Sequence, residues 1–188
     1  MDFERYVEQL RTLYANAGLE LTMKPPATKT TLAQAREIGS TLDAGLAAAW
    51  ACADGADRGE PVFLRPKSLT GLEFSSIAQA LETRGYMETR SKTYGDYRQP
   101  SPRDPRIAPG WYAPGWLPFA EFGGGSLSLI SDHSPERRGA MGQVIAYIHD
   151  PDEIVYLAES FSGFLEMSMA AIRDDPGEFL WARLDALV

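Results

Sequence analysis

The stretch Trp116-Leu117-Pro118-Phe119-Ala120-Glu121-Phe122-Gly123-Gly124-Gly125 decides how the rest of the chain is read. Large apolar residues run into three consecutive glycines, the pattern of a strand that ends in a tight reversal. Three further strand-like runs follow at residues 126–130, 143–148 and 154–157, each set off by turn residues. His149-Asp150-Pro151-Asp152, between the last two, is a short polar connection suited to neighbouring antiparallel strands. Ser160 then caps a helix with Phe161, Phe164, Leu165, Met169 and Ile172 along one side, and a final helix is expected over 176–187.

Upstream, the pattern is helical. Phe3, Tyr6, Val7, Leu10, Leu13 and Tyr14 recur at helical spacing behind Asp2 as N-cap, and Gly18 stands where a left-handed residue would close the helix. After Pro25-Pro26, Thr31-Leu32-Ala33-Gln34 has capping-box spacing and predicts a short helix to about Gly39. A third helix begins near Asp43, with Leu42, Leu46, Trp50 and Ala53 as its buried stripe and Asp54-Gly55 as its stop. Pro61-Val62-Phe63-Leu64 reads as a short strand, and Phe74, Ile77, Ala78 and Leu81 restore helical spacing up to Arg84-Gly85. Residues 85–115 differ in kind. Pro100, Pro102, Pro105, Pro109 and Pro114 among Arg90, Lys92, Arg98, Arg103 and Arg106 suit neither a helix nor a central strand. They predict a long inserted loop, with a strand near Tyr86. Helices first, strands in the middle and helices last, without βαβ alternation, give an α+β fold. The expectation is one domain over 1–188: a mainly antiparallel sheet of about five or six strands with helices packed on it.

Composition narrows the function. The 188 residues carry 18 Lys+Arg against 26 Asp+Glu, a formal net charge of −8, which offers a phosphate backbone no attraction. One cysteine, Cys52, excludes an internal disulfide framework and suits a reducing compartment. Met1-Asp2-Phe3-Glu4-Arg5 lacks the basic flank and apolar run of a secretory signal, and no apolar run approaches the roughly 20 residues of a membrane span. A soluble, cytoplasmic protein without a nucleic-acid or membrane partner is expected.

Candidate chemistry is sparse. Two histidines and one cysteine lack the spacing of a zinc site, so neither metal nor cofactor is expected. The glycine run lacks the Lys-Ser/Thr of a phosphate cradle. Cys52, beside Trp50 with no nearby cation, reads as an inert thiol. Asp132-His133-Ser134-Pro135-Glu136 and His149-Asp150 hold acid and base residue types but no evident catalytic partner. Tyr94, Tyr97, Trp111, Tyr112 and Trp116, interleaved with arginines, are superficially a single-strand nucleic-acid platform; the net charge favours an aromatic loop packed on the core or on a partner. Between residues 139 and 172 there is no Lys or Arg, while Asp150, Asp152, Glu153, Glu159 and Glu166 fall there. This predicts a negative face, either solubilising or attractive to a basic partner.

Trp116 to Gly125, the strand to Ile130, a polar Pro-containing loop, Gly142-Gln143-Val144-Ile145, His149-Asp150 and Ala158-Glu159-Ser160-Phe161-Ser162-Gly163-Phe164-Leu165 together resemble the SUKH superfamily. That group includes the fungal cell-wall synthesis regulator domain and many bacterial immunity proteins. The match covers about 116–169, with a weaker upstream match at Leu42 to Leu46 and Ala53-Asp54-Gly55, within a family-like core of about 30–172. Glu121-Phe122 stands where members often carry Asp, and the stretch before Gly115 looks longer than usual. The resemblance implies structural roles for Trp116, Pro118, Phe119, Gly123, Gly124, Gly142, Phe161 and Phe164, and binding rather than catalysis. The resulting expectation is a non-enzymatic module that contacts a protein partner, a toxin domain above all, through Asp132, Glu136, His149, Asp150, Asp152 and Glu153. Alternatives are a scaffold or regulator of envelope assembly and, remotely, a hydrolase.

Overall fold

The Asp2 carboxylate accepts from the Arg5 backbone N–H at 2.9 Å and starts α1 (Phe3–Asn16). Phe3, Tyr6, Val7, Leu10 and Tyr14 form its buried face, and Gly18 lies just past the end at φ +72°. α2 (Lys29–Arg36) corrects the reading of its start: Thr28 is the cap, accepting from Thr31 N at 3.1 Å. Thr28 is still extended after the proline pair, so its hydroxyl reaches an orphan N–H, whereas Thr31 is already helical. The expected end at Gly39 lies outside the described residues, since this computed structural model describes 1–38 and 42–185, with side chains through Trp181. α3 (Ala44–Cys52) is capped by Asp43.

β1 (Pro61–Leu64) is followed by a strand that sequence reading missed, β2 (Gly71–Phe74). Phe74 therefore closes a strand instead of opening a helix. Ser76 and Gln79 form a complete capping box that starts α4 (Ile77–Ser91), which continues through Gly85 and Tyr86. The expected stop at Arg84-Gly85 and the strand near Tyr86 are both absent. A helix-interior glycine costs only about 1 kcal/mol against Ala, which the capping box and the buried Ile77, Ala80 and Met87 outweigh.

β3 (Trp116–Phe122), β4 (Leu127–Asp132), β5 (Gln143–Ile148) and β6 (Glu153–Ala158) complete one six-stranded sheet in sequence order, antiparallel throughout. Ser160 caps α5 (Phe161–Asp174), accepting from Gly163 N at 3.1 Å, and α6 (Pro176–Asp185) follows. The fold is α+β. In such a meander the β1–β2, β3–β4 and β5–β6 turns share one end of the sheet, hereafter the rim.

Strand alternation gives the sheet two buried faces. On the inner face Phe63, Leu117, Phe119, Leu129, Val144 and Ala146 pack under α1, α3 and α5, with Phe161 and Phe164 reaching down from α5. On the outer face Trp116, Ile130, Ile145, Tyr147 and Ile154 meet Met87 of α4 and Ile107, Trp111 and Ala113 of the inserted segment. Burying both faces removes a large apolar area from water, at about 25 cal/mol per Å². The β1 edge is closed by side chains: Tyr6 and Tyr14 donate to the Val62 and Pro61 carbonyls at 2.8 and 2.7 Å, and Leu64 N donates to Ser168 at 2.9 Å. Pro118 is tolerated inside β3 because β2 pairs only with Ala120 and Glu121, leaving β3 locally an edge at the proline. Gly123, Gly124 and Gly125 all have positive φ, so the reversal into β4 needs residues without a Cβ.

Candidate functional site

Residues 92–115 contain no helix or strand, yet they form a layer over the outer face. Arg103 staples it from within, donating to Gln99 Oε1 at 2.7 Å and to the Ala108 and Gly110 carbonyls at 3.2 and 2.6 Å. Its guanidinium lies 5.1 Å from the Trp111 ring centre, and Trp111 stacks on Tyr94 at 4.3 Å. Burial holds the Arg103 pKa below its ordinary value, as expected for a cation satisfied by neutral acceptors. Lower down, Asp104 grips Arg106 at 2.9 and 2.7 Å, and the Arg106 guanidinium sits over the Tyr156 ring, 3.2 Å from its centroid. The Arg106 carbonyl accepts from Gln143 Nε2 at 2.9 Å and Glu136 N at 3.0 Å, tying the layer to the far end of the sheet. The aromatic and basic residues thus pack on the core.

Near the rim, four side chains from three segments converge on the Asp152 carboxylate. Tyr147 donates to Oδ1 at 2.5 Å, His149 Nδ1 lies 2.6 Å from the same oxygen, and Arg90 Nη2 lies 3.6 Å away. Tyr94 and Tyr147 hydroxyls meet at 3.0 Å, and the Arg90 guanidinium sits 5.6 and 5.5 Å from their ring centres. Burial by itself would raise the Asp152 pKa, but the hydrogen bonds from Tyr147, His149 and Tyr94 and the Arg90 charge together hold it below the usual carboxylate value. Burial and the neighbouring carboxylate push the Tyr147 phenol far up, so it remains a donor. Gln99 extends the same attachment by pairing with Ile154 N at 3.1 Å, and Ser101 N donates to Glu153 at 3.2 Å.

The sequence-derived candidates separate into three groups. Asp132 cannot face a partner: it is wholly buried at the end of β4, accepting from Ser134 N and Gln143 Nε2 at 2.9 Å each. Burial raises its pKa, and its role is to pin β4 to β5. Glu136 is exposed, in a separate loop at the opposite end from the rim. His149, Asp150, Asp152 and Glu153 do gather at the β5–β6 turn, but His149 pairs with Asp152, three residues on, and not with Asp150. A turn that reverses the chain brings i and i+3 together, whereas adjacent side chains diverge.

The expected negative face is also corrected. Cations from elsewhere in the chain meet the acids of 139–172: Arg90 meets Asp152, the N-terminal amine meets Glu166 at 2.6 Å, and Arg65 and Arg106 lie in electrostatic reach of Glu153 and Glu159. These acids are spread between the rim, the lower end of β6 and α5, so they form no single field. The residues carrying the resemblance fall into place as structure: Trp116 is buried in the outer core, Phe119, Phe161 and Phe164 in the inner, and Gly142, at φ +81°, faces the Asp43 carboxylate. Sequence reasoning missed Arg90, Tyr94, Tyr147 and Gln99 as members of the cluster. The signal available was the aromatic and arginine interleaving, which gives no indication of which strand it meets.

Among the described residues, no three His, Cys, Asp or Glu side chains group to hold a metal ion, and no helix is long and apolar enough to cross a membrane. A model of the SMI1 / KNR4 family (SUKH-1) matches residues 26–167, which run from just before α2 to within α5 and include the whole sheet. No curated protein matches the chain.

Proposed function

We propose that this chain, which belongs to the SMI1 / KNR4 family (SUKH-1), is a non-enzymatic protein-binding module, specifically an immunity protein that neutralises a toxin domain by direct contact. The family itself suggests protein–protein interaction in general. The observation that carries the reading is the inserted layer. Exposed Pro100, Pro102, Pro105 and Pro109 sit on a segment stapled internally by Arg103, so the surface it presents has little conformational freedom left to lose on binding. It ends against the β5–β6 turn, where His149 and Asp150 stand exposed beside the braced Asp152. The half-exposed His149 shares its carboxylate with a tyrosine and an arginine on an open surface, an arrangement that favours fixed contacts over proton transfer.

Co-expression with the product of the adjacent gene tests the proposal. Survival of cells that carry both genes, together with a stable complex of the two purified proteins, is the expected result. A charge-reversing Asp150→Lys should weaken that complex. Absence of both complex and protection would defeat the reading. A deletion strain with an envelope-stress phenotype and no toxin partner would support a regulatory role instead. A hydrolytic activity present in wild type and lost in His149→Ala would return the protein to the enzymes.

A further inference from the structure

The rim has a second, apolar half. Leu69 in the β1–β2 turn, Phe122 at the end of β3 and Trp181 of α6 are 71%, 46% and 59% exposed, unusually open for side chains of this size. They wall one cavity of about 290 Å³. Its floor is fixed: Phe179 is buried and lies close against Gly71, where a Cβ would come within 3.3 Å of its ring, so α6 is pinned onto the hairpin with Trp181 held outward. Glu73 and Glu178 stand at the mouth, Glu73 held by a hydrogen bond from Gly59 N at 2.9 Å, and among the described residues no Lys or Arg lines the cavity.

The geometry points to this cavity as the anchor site of the partner, accepting one large apolar side chain from a segment of another protein that carries Arg or Lys beside that anchor. The inference rests on the protein-binding reading above and names where and by what chemistry contact is made. A cavity ringed by an exposed tryptophan and two further apolar side chains is the kind of pocket in which interface energy concentrates. The two glutamates select the flanking charge. A second copy of this chain is a poor occupant, since each copy carries a formal net charge of −8 and would set glutamates against its twin's acidic surface.

The test uses fluorescein-labelled twelve-residue peptides with one central Leu or Phe, flanked either by arginines or by glutamates, titrated onto the full chain. Saturable binding of the arginine-flanked peptide, at least tenfold tighter than its glutamate counterpart, is expected. Trp181→Ala and Leu69→Ser, both at exposed positions, should each weaken it at least tenfold with an unchanged circular dichroism spectrum, while Met167→Ala, at an exposed position of α5 away from the cavity, leaves it intact. No saturable binding, equal binding of the two peptides, or full binding by Trp181→Ala would overturn the inference. Protection by wild type and equal protection by the Leu69→Ser/Trp181→Ala double variant would remove the anchor site and leave the immunity reading standing.

Discussion

The two faces of the sheet are buried by different physics. The inner face is held by regular helices and by rings in mutual contact: Phe63 alone meets Phe3, Tyr6, Phe74, Phe119, Phe161 and Phe164 with centroids between 5.6 and 6.4 Å. The outer face is held by an irregular segment whose apolar groups carry polar tips, with arginines stacked on Tyr94, Trp111, Tyr112, Tyr147 and Tyr156. One layer is cohesive mainly through buried apolar area, with a few hydrogen bonds from Tyr6, Tyr14 and Ser168 at the β1 edge. The other needs each hydrogen bond in place, and that makes it both specific in shape and easier to detach.

Breaking the inner layer should have the largest effect. Phe63→Ala removes a fully buried ring with little scope for collapse around it, and should cost about 3–5 kcal/mol, read as a lowered denaturation midpoint for the whole molecule. If Trp111→Ala on the outer face cost as much globally, the distinction between the layers would fail. Arg103→Ala should cost about 1.5–3 kcal/mol and act locally: hydrogen exchange should accelerate at amides of 97–111 while those of β4 and β5 remain protected. Exchange rising equally in both regions would mean that the two layers open as one.

The carboxylates sharpen the contrast through pH. Asp152 is held below its ordinary value of 3.8, so the stability it contributes is present above that value and is lost as pH falls through its lowered pKa. Asp132 is raised above 3.8, so the folded state holds its proton more tightly than the unfolded chain, and stability falls as pH rises through its raised pKa. Asp152→Asn should therefore flatten the acid limb of a stability–pH curve, and Asp132→Asn should remove a loss on the rising side. Changes of the same sign in both variants would contradict the assigned causes. The smallest effect is expected at exposed Glu136, where Ala should change stability by no more than about 0.5 kcal/mol.

What could be read in advance follows the same division. α1, α3 and α5 bury one face of a repeating period and carry Asp2, Asp43 and Ser160 as caps, so spacing and capping chemistry identify them. β3 to β6 alternate or run apolar between turn residues. β2 escaped because four residues with only two pairs to β3 carry too little pattern, and Phe74 happens to continue the helical spacing of Ile77 and Leu81. The outer layer was recognisable as unusual in composition but not as a layer, since nothing periodic links Arg103 to Trp111 or Arg106 to Tyr156. The supposed negative face failed for a related reason: counting charge along 139–172 cannot see Arg90 or the N-terminal amine arriving from distant segments. Asp132 looked like a loop acid because its neighbours are polar, whereas the strand carries it under Gln143.

The sequential order of the strands has a consequence for how such a molecule changes over time. Because alternate hairpin tips all emerge at one end of the sheet, substitutions at Leu69, at Phe122 or at His149 and Asp150 alter separate patches of the rim without passing through either core. Under the proposed immunity reading, a lineage following a changing toxin rewrites those tips independently, one tip at a time, on an unaltered chassis.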